Sequence, residues 1–294
     1  MLPFLDVLRL FLGASVLAFA SYTDWKWRRA PNVLWLLLSA AGVAFLAAEA
    51  FADAAPWSAK WPYLLPLSVV ALLLSERTWS DVASVLAGVG GSALAVAAGL
   101  RAPELVAAAW PSLAVATLLA FGIYGMWYAG LIAGGADAKA LLACCVLLPF
   151  PLALADGLPL LAAPVPGAFS VLGNSLVLFL VIPLGFLVWN AAHGDLRFPH
   201  LVLGVKRRAA DVRRGHQWPM EVVDESGARR TKLFASRMTD EEVEATFERV
   251  QALGDERVWV SPKIPFMIPM LAGFLAAFFV GDLLMALLSR VVAP

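Results

Sequence analysis

The sequence predicts an all-α polytopic membrane protein, a bundle of about eight transmembrane helices with one small cytosolic insertion. Three observations predict it. The 294 residues are 61% hydrophobic, with a mean hydropathy of +0.79 and only 15% charged residues, against roughly 25% charged in a soluble globular domain. Apolar runs close to the ~20 residues that cross a bilayer recur along almost the whole chain. Charge is dense in one stretch only, from about His193 to Ser261.

Grouping the apolar runs between charges and Pro/Gly clusters predicts spans near 3–22, 32–50, 61–75, 80–99, 104–129, 138–155, 167–192 and 264–289. The third is short and the fifth long, so seven spans or a broken helix also fit. The expected organisation is a membrane core over 1–192, the cytosolic insertion over 193–262 and a C-terminal transmembrane helix over 263–294. Met1 to Ala20 lacks the basic start and small-residue cleavage site of a signal peptide, so it is expected to be retained as a span.

Orientation follows from Lys and Arg in the short loops, which are held on the cytoplasmic side. Lys26, Arg28 and Arg29 put the first loop inside, and alternation then puts Arg77, Lys139 and the basic 197–263 stretch inside, with the N-terminus outside. Most ionisable groups near span ends, among them Glu49, Asp53, Arg77, Arg101, Glu104 and Asp156, are expected to snorkel to the interface. Asp282 lies deeper, inside the last span, and calls for a polar partner on a neighbouring helix or a shallower position.

Balanced charge, 22 basic against 22 acidic residues, offers no footprint for nucleic acid. The adjacent Cys144 and Cys145 sit in an apolar run at a spacing that suits neither a metal knuckle nor a disulfide framework, and are read as packing residues. His193, His200 and His216 lack ligand spacing, so no metal and no cofactor is expected. In the insertion, Thr239-Asp-Glu-Glu242 forms a capping box that starts a helix near 240–253, closed by Gly254. Asp240, Glu241, Glu242 and Glu244 solvate that helix or offer an acidic docking surface. Basic clusters such as Lys206-Arg207-Arg208 are suited to anionic headgroups.

Two aspartates stand out. Asp24 closes the first span in Ser21-Tyr-Thr-Asp-Trp-Lys-Trp-Arg-Arg-Ala-Pro-Asn32, and Asp137 opens the sixth in Gly134-Gly-Ala-Asp-Ala-Lys139. Each alone is an ordinary juxtamembrane charge. With four spans between them, however, both emerge on the cytoplasmic side, and the paired glycines admit unusual backbone angles and close approach of another chain. Two carboxylates on one side are able to share a proton, one acting as base on a water and the other as acid toward a carbonyl.

These segments resemble the archaeal preflagellin and type IV prepilin peptidases, membrane aspartic proteases of the Gly-x-Gly-Asp class. Asp24-Trp-Lys-Trp-Arg-Arg-Ala-Pro-Asn32 is similar to the family's first motif, an Asp followed by basic residues and a Pro-Asn pair opening the next span. Gly134-Gly-Ala-Asp137-Ala-Lys139 resembles the second, with Ala136 where the second glycine stands. Trp259-Val-Ser-Pro-Lys-Ile-Pro-Phe266, followed by Pro269, resembles the approach to the C-terminal span in the archaeal branch. Between the aspartates the chain holds four spans where compact members hold about two, and it lacks the paired Cys-x-x-Cys zinc loop of many bacterial relatives. No methyltransferase activity is therefore expected.

The resemblance implies an aspartic endopeptidase in the cytoplasmic membrane that cuts a short basic leader from prepilin or pre-archaellin substrates. Asp24 and Asp137 would be the catalytic pair, with Gly134, Gly135 and Lys139 supporting the substrate. Helix polarity adds a division of labour. Asp24 at a helix C-terminus is expected to hold the proton, and Asp137 at a helix N-terminus beside Lys139 to be the ionised base. The rival reading is a proton- or cation-coupled transporter using the same pair, although such sites belong near the bilayer midplane.

Overall fold

In the computed structural model, residues 3–74, 79–132, 134–154, 159–161, 164–212, 217–223, 229–231, 240–254 and 256–292 are described. Arg77, Asp156, His216 and Thr239 lie outside them. The chain is mostly helical and divides into two units, one of Met1–Leu178 with Pro265–Pro294 and one of Phe179–Ile264.

The first unit contains α1 (Pro3–Trp27), α2 (Asn32–Ala52), α3 (Leu65–Leu74), α4 (Trp79–Arg101), α5 (Trp110–Tyr128), α6 (Gly135–Leu147), the bulk of α7 (Gly167–Phe179), α11 (Met267–Phe279) and α12 (Leu283–Val292). Among the described residues, five stretches are long and apolar enough to cross a membrane: Phe4–Trp27, Asn32–Ala52, Val82–Arg101, Trp110–Tyr128 and Gly167–Ala192. The other apolar runs of the sequence become shorter helices. The 61–75 run opens with a tight 3-10 turn and leaves a 10-residue α3, and the 138–155 run ends as α6 at Leu147.

The 264–289 run breaks in two. Gly281 takes a left-handed φ of 104°, and a Cβ there would lie 2.2 Å from the Leu161 carbonyl oxygen, so only glycine fits. Asp282 follows directly. One carboxylate oxygen accepts from the Met285 N–H at 2.8 Å, capping α12, and the other accepts from the Ser170 hydroxyl at 2.9 Å on α7. The neighbouring-helix partner expected for Asp282 is therefore Ser170, and its main work is to cap a helix.

α6 is the central element. Ala138 and the run Ala140 to Leu147, including both cysteines, are buried, as suits a helix apolar on every side and packed against α2, α3 and α5. Its contact with α2 is close enough that a Cβ on Gly42 would stand 2.9 Å from the Val146 backbone.

The second unit corrects the all-α expectation. It holds α8 (Val181–Ala192), α9 (His200–Leu203), β1 (Val205–Arg208), β2 (Gln217–Pro219), β3 (Glu221–Val223), β4 (Arg229–Thr231), α10 (Asp240–Gln251) and β5 (Arg257–Pro262). β5 runs antiparallel between β1 and β2, with Val205 opposite Val260, while β3 and β4 form a separate ribbon. Val205, Ala209, Phe247, Val250, Val258 and Val260 form its core. The strands are three to six residues long, and β1 reads Val-Lys-Arg-Arg, too short and too basic to register as a period-two pattern. α10 lies where its capping signals put it, and Gly254 follows with a left-handed φ of 62°. Part of the basic stretch is engaged internally, since Lys206 meets Asp195 at 2.5 Å and Arg208 meets Asp211 at 2.8 Å.

His200 is buried in this unit, tilted against Trp259 at 5.2 Å between ring centroids, and neither ring nitrogen has a hydrogen-bond partner. Burial first and the Arg197 charge second hold its imidazole below the ordinary value of 6.5, with Glu221 acting in the opposite sense. The unfolded chain thus binds a proton more readily than the folded one, and the stability of this unit is expected to fall as pH drops below about 6.5. Hydrogen exchange across 197–262 at about pH 5 and about pH 7.5 checks this. A His200→Phe variant, which keeps the ring and cannot be protonated, should lose that part of the pH dependence.

Candidate functional site

The sequence-predicted residues come from two helix ends of the first unit. α1 carries Asp24 in its last turn. Two bonds fix that turn: the buried Ser21 hydroxyl donates to the Met267 carbonyl at 2.9 Å, tying it to the start of α11, and Thr23 donates to the Ala20 carbonyl at 3.0 Å. The helix stops at Trp27 because Arg28 turns left-handed, φ 55°, while its N–H still reaches the Asp24 carbonyl at 2.9 Å. Pro31 then precedes α2. On the outer side of the turn the Lys26 ammonium lies 4.8 Å from the Trp27 ring centroid and 5.7 Å from that of Tyr22.

α6 carries Asp137 in its first turn. Gly134 is the N-cap, at φ −89° and ψ 111°, and its carbonyl accepts the Ala138 N–H at 3.1 Å. These angles are open to any residue, so the unusual backbone expected of the glycine pair is not what Gly134 supplies. Its contribution is space. The Asp137 side chain folds back over it, and a Cβ at position 134 would stand 2.2 Å from one Asp137 carboxylate oxygen. Gly135 has more room, since a Cβ there would meet the Trp127 indole at 3.4 Å, an ordinary contact. Lys139 is half-buried on the same helix.

Although most of the membrane core separates them in sequence, Asp24 and Asp137 stand close enough for their charges to repel. Both are half-buried. Asp24 occupies a helix C-terminus and Asp137 a helix N-terminus, the polarity on which the expected division of labour rests. No group of three or more His, Cys, Asp or Glu suited to hold a metal ion occurs among the described residues. Arg28, read in the sequence as a marker of the inside loop and as one of the basic residues after Asp24 in the first motif, acts on Asp24 through its charge. A left-handed arginine has no sequence signature.

Residues 197–283 match the family described as Archaeal Peptidase A24 C-terminus Type II. The match supports the archaeal prepilin and preflagellin peptidase family. No curated protein matches the chain. The matched region runs from just before α9 to the first residue of α12 and so includes the Trp259 to Pro269 segment that carries the third point of resemblance. Asp24 and Asp137 lie N-terminal to it. The family match supports a peptidase, and the apolar helices support a membrane protein.

Proposed function

We propose that the chain is an aspartic endopeptidase of the cytoplasmic membrane that removes the short basic leader from pilin-like or archaellin precursors, with Asp24 and Asp137 as its catalytic pair. What supports this reading is a pair of carboxylates at helix ends far apart in sequence, the Asp24 charge acting on Asp137, in a chain whose C-terminal region matches the archaeal A24 peptidases. Repulsion between the two favours one shared proton. The ionised carboxylate takes a proton from water, whose oxygen attacks the scissile carbonyl carbon, and the protonated one gives its proton to the carbonyl oxygen. Collapse of the tetrahedral intermediate expels the amine, which leaves with a proton from the pair. Neither a metal nor a nucleophilic side chain enters these steps.

The same reading takes the eight apolar runs as spans, the N-terminus as external and the aspartate pair as cytoplasmic, where the substrate leader resides before export. Purified protein incubated in detergent with a prepilin peptide carrying a basic leader tests it, cleavage at the leader boundary being expected. A chain that cuts no such peptide but moves protons or cations in liposomes would support the transporter instead.

Gly134 gives a sharper test of the geometry. Ala is compatible with its backbone angles, but the added methyl must push the Asp137 carboxylate away. Gly134→Ala is expected to slow cleavage by about a hundredfold, the usual cost of an ångström-scale displacement of a reacting group, with little change in thermal midpoint. Gly135→Ala, facing an ordinary contact, should leave the rate near that of the unmodified chain.

A further inference from the structure

We propose that Arg28 is a positioning residue for the aspartate pair, its guanidinium offsetting the repulsion between the two carboxylates and donating to Asp24 as the pair closes on a substrate. This rests on the reading of Asp24 and Asp137 as the catalytic pair. Three features of Arg28 carry it. The residue that ends α1 in the left-handed region is ordinarily glycine, which meets no steric penalty there, yet this position holds arginine at φ 55°. Non-glycine residues held in that region cluster at functional sites.

The second feature is direction. The bond from the Arg28 N–H to the Asp24 carbonyl, 2.9 Å, fixes the arginine backbone against the turn that carries the aspartate. The third is an unused donor. Arg28 is half-buried and its Nε is shielded from solvent without a hydrogen-bond partner, a costly arrangement for a charged donor unless a partner arrives. Its charge already acts on Asp24. The adjacent cations are otherwise disposed: Lys26 lies over Tyr22 and Trp27, and Arg29 is exposed.

Two carboxylates brought together at one site need a counter-charge to approach further, and a guanidinium hydrogen bond also fixes the direction in which a carboxylate faces. Both effects act through Asp24 and concern the chemical step more than initial binding of the leader.

Glycine at position 28 separates side chain from backbone, because it suits the left-handed turn better than arginine does. Arg28→Gly is expected to lower kcat by about tenfold or more, the usual effect of removing a charge-assisted hydrogen bond, with KM and thermal midpoint little changed. Arg28→Lys, which restores the charge without the planar fork, should recover part of the lost kcat. Unchanged kcat in Arg28→Gly overturns the proposal, as does a loss that tracks a lowered midpoint or one that lysine fails to recover in any degree. Asp24→Asn and Asp137→Asn measured alongside keep the two readings apart. If either aspartate variant still cleaves well, the catalytic pair itself is wrong; if both are inactive while Arg28→Gly matches the unmodified chain, only the role of Arg28 falls.

Discussion

Asn at Asp24 or at Asp137 is expected to slow cleavage of a basic-leader prepilin peptide by about a thousandfold or more, with the purified protein still folded. Asn has nearly the shape of Asp but neither takes up nor gives a proton, and acid and base are both needed in one turnover. General acid and base groups each contribute about a hundredfold to ten-thousandfold. Because the two act as a unit, the double variant is expected to be little worse than either single one. Product formation followed by mass spectrometry decides the matter, and substantial cleavage by either single variant removes the pair from the mechanism.

Stability measured on the same variants should move little. Asp137 sits in the first turn of α6, where a negative charge meets exposed N–H groups, so Asn costs up to about 1 kcal/mol. Asp24 sits in the last turn of α1, where it is expected to hold the shared proton, so an uncharged Asn there changes stability little. A thousandfold loss of rate with shifts this small cannot be laid to unfolding.

The residues that carry this prediction were legible because hydropathy runs are long and chemical motifs are short. Counting spans was enough to expect Asp24 and Asp137 at one end of the bundle, and the Gly134-Gly-Ala-Asp137 turn was visible as a helix start. The physical reason for Gly134 was not, since a missing Cβ under a folded-back carboxylate is a three-dimensional fact. Asp282 marked the last span as unusual, but its use as a cap required knowing that the helix breaks at Gly281. The small sheet escaped because β5 pairs with strands far along the chain, and strands of three or four residues carry too little pattern. Glu49 was misread. Near a span end it was expected to snorkel, whereas it is 3% exposed and faces Arg9 on α1.

That misreading points to the second large effect, at the other end of α1 from Asp24. Arg9 donates to Asp6 at 2.7 Å, lies 3.7 Å from Glu49 on α2, and faces the rings of Phe45 and Phe150 at 5.7 and 5.8 Å. The second Asp6 oxygen accepts the Ala153 N–H at 3.1 Å, so the cluster ties α1 and α2 to the chain that leaves α6. All three charged residues are almost fully buried, and two Arg9 nitrogens have no hydrogen-bond partner. Arg9→Met would leave two carboxylates buried without their cation, which is expected to destabilise the protein by about 3–5 kcal/mol. Replacing the set together, Asp6→Asn with Arg9→Met and Glu49→Gln, should recover most of that loss, because an absent ion cluster often costs far less than a broken one. Thermal unfolding in detergent, followed by tryptophan fluorescence, reads both variants. A single Arg9→Met variant as stable as the unmodified chain would mean that the carboxylates are not held by Arg9. If the prediction holds, the peptide-cleaving activity of the folded triple variant should persist, since the cluster anchors α1 at the end opposite the aspartate pair and takes no part in moving protons there.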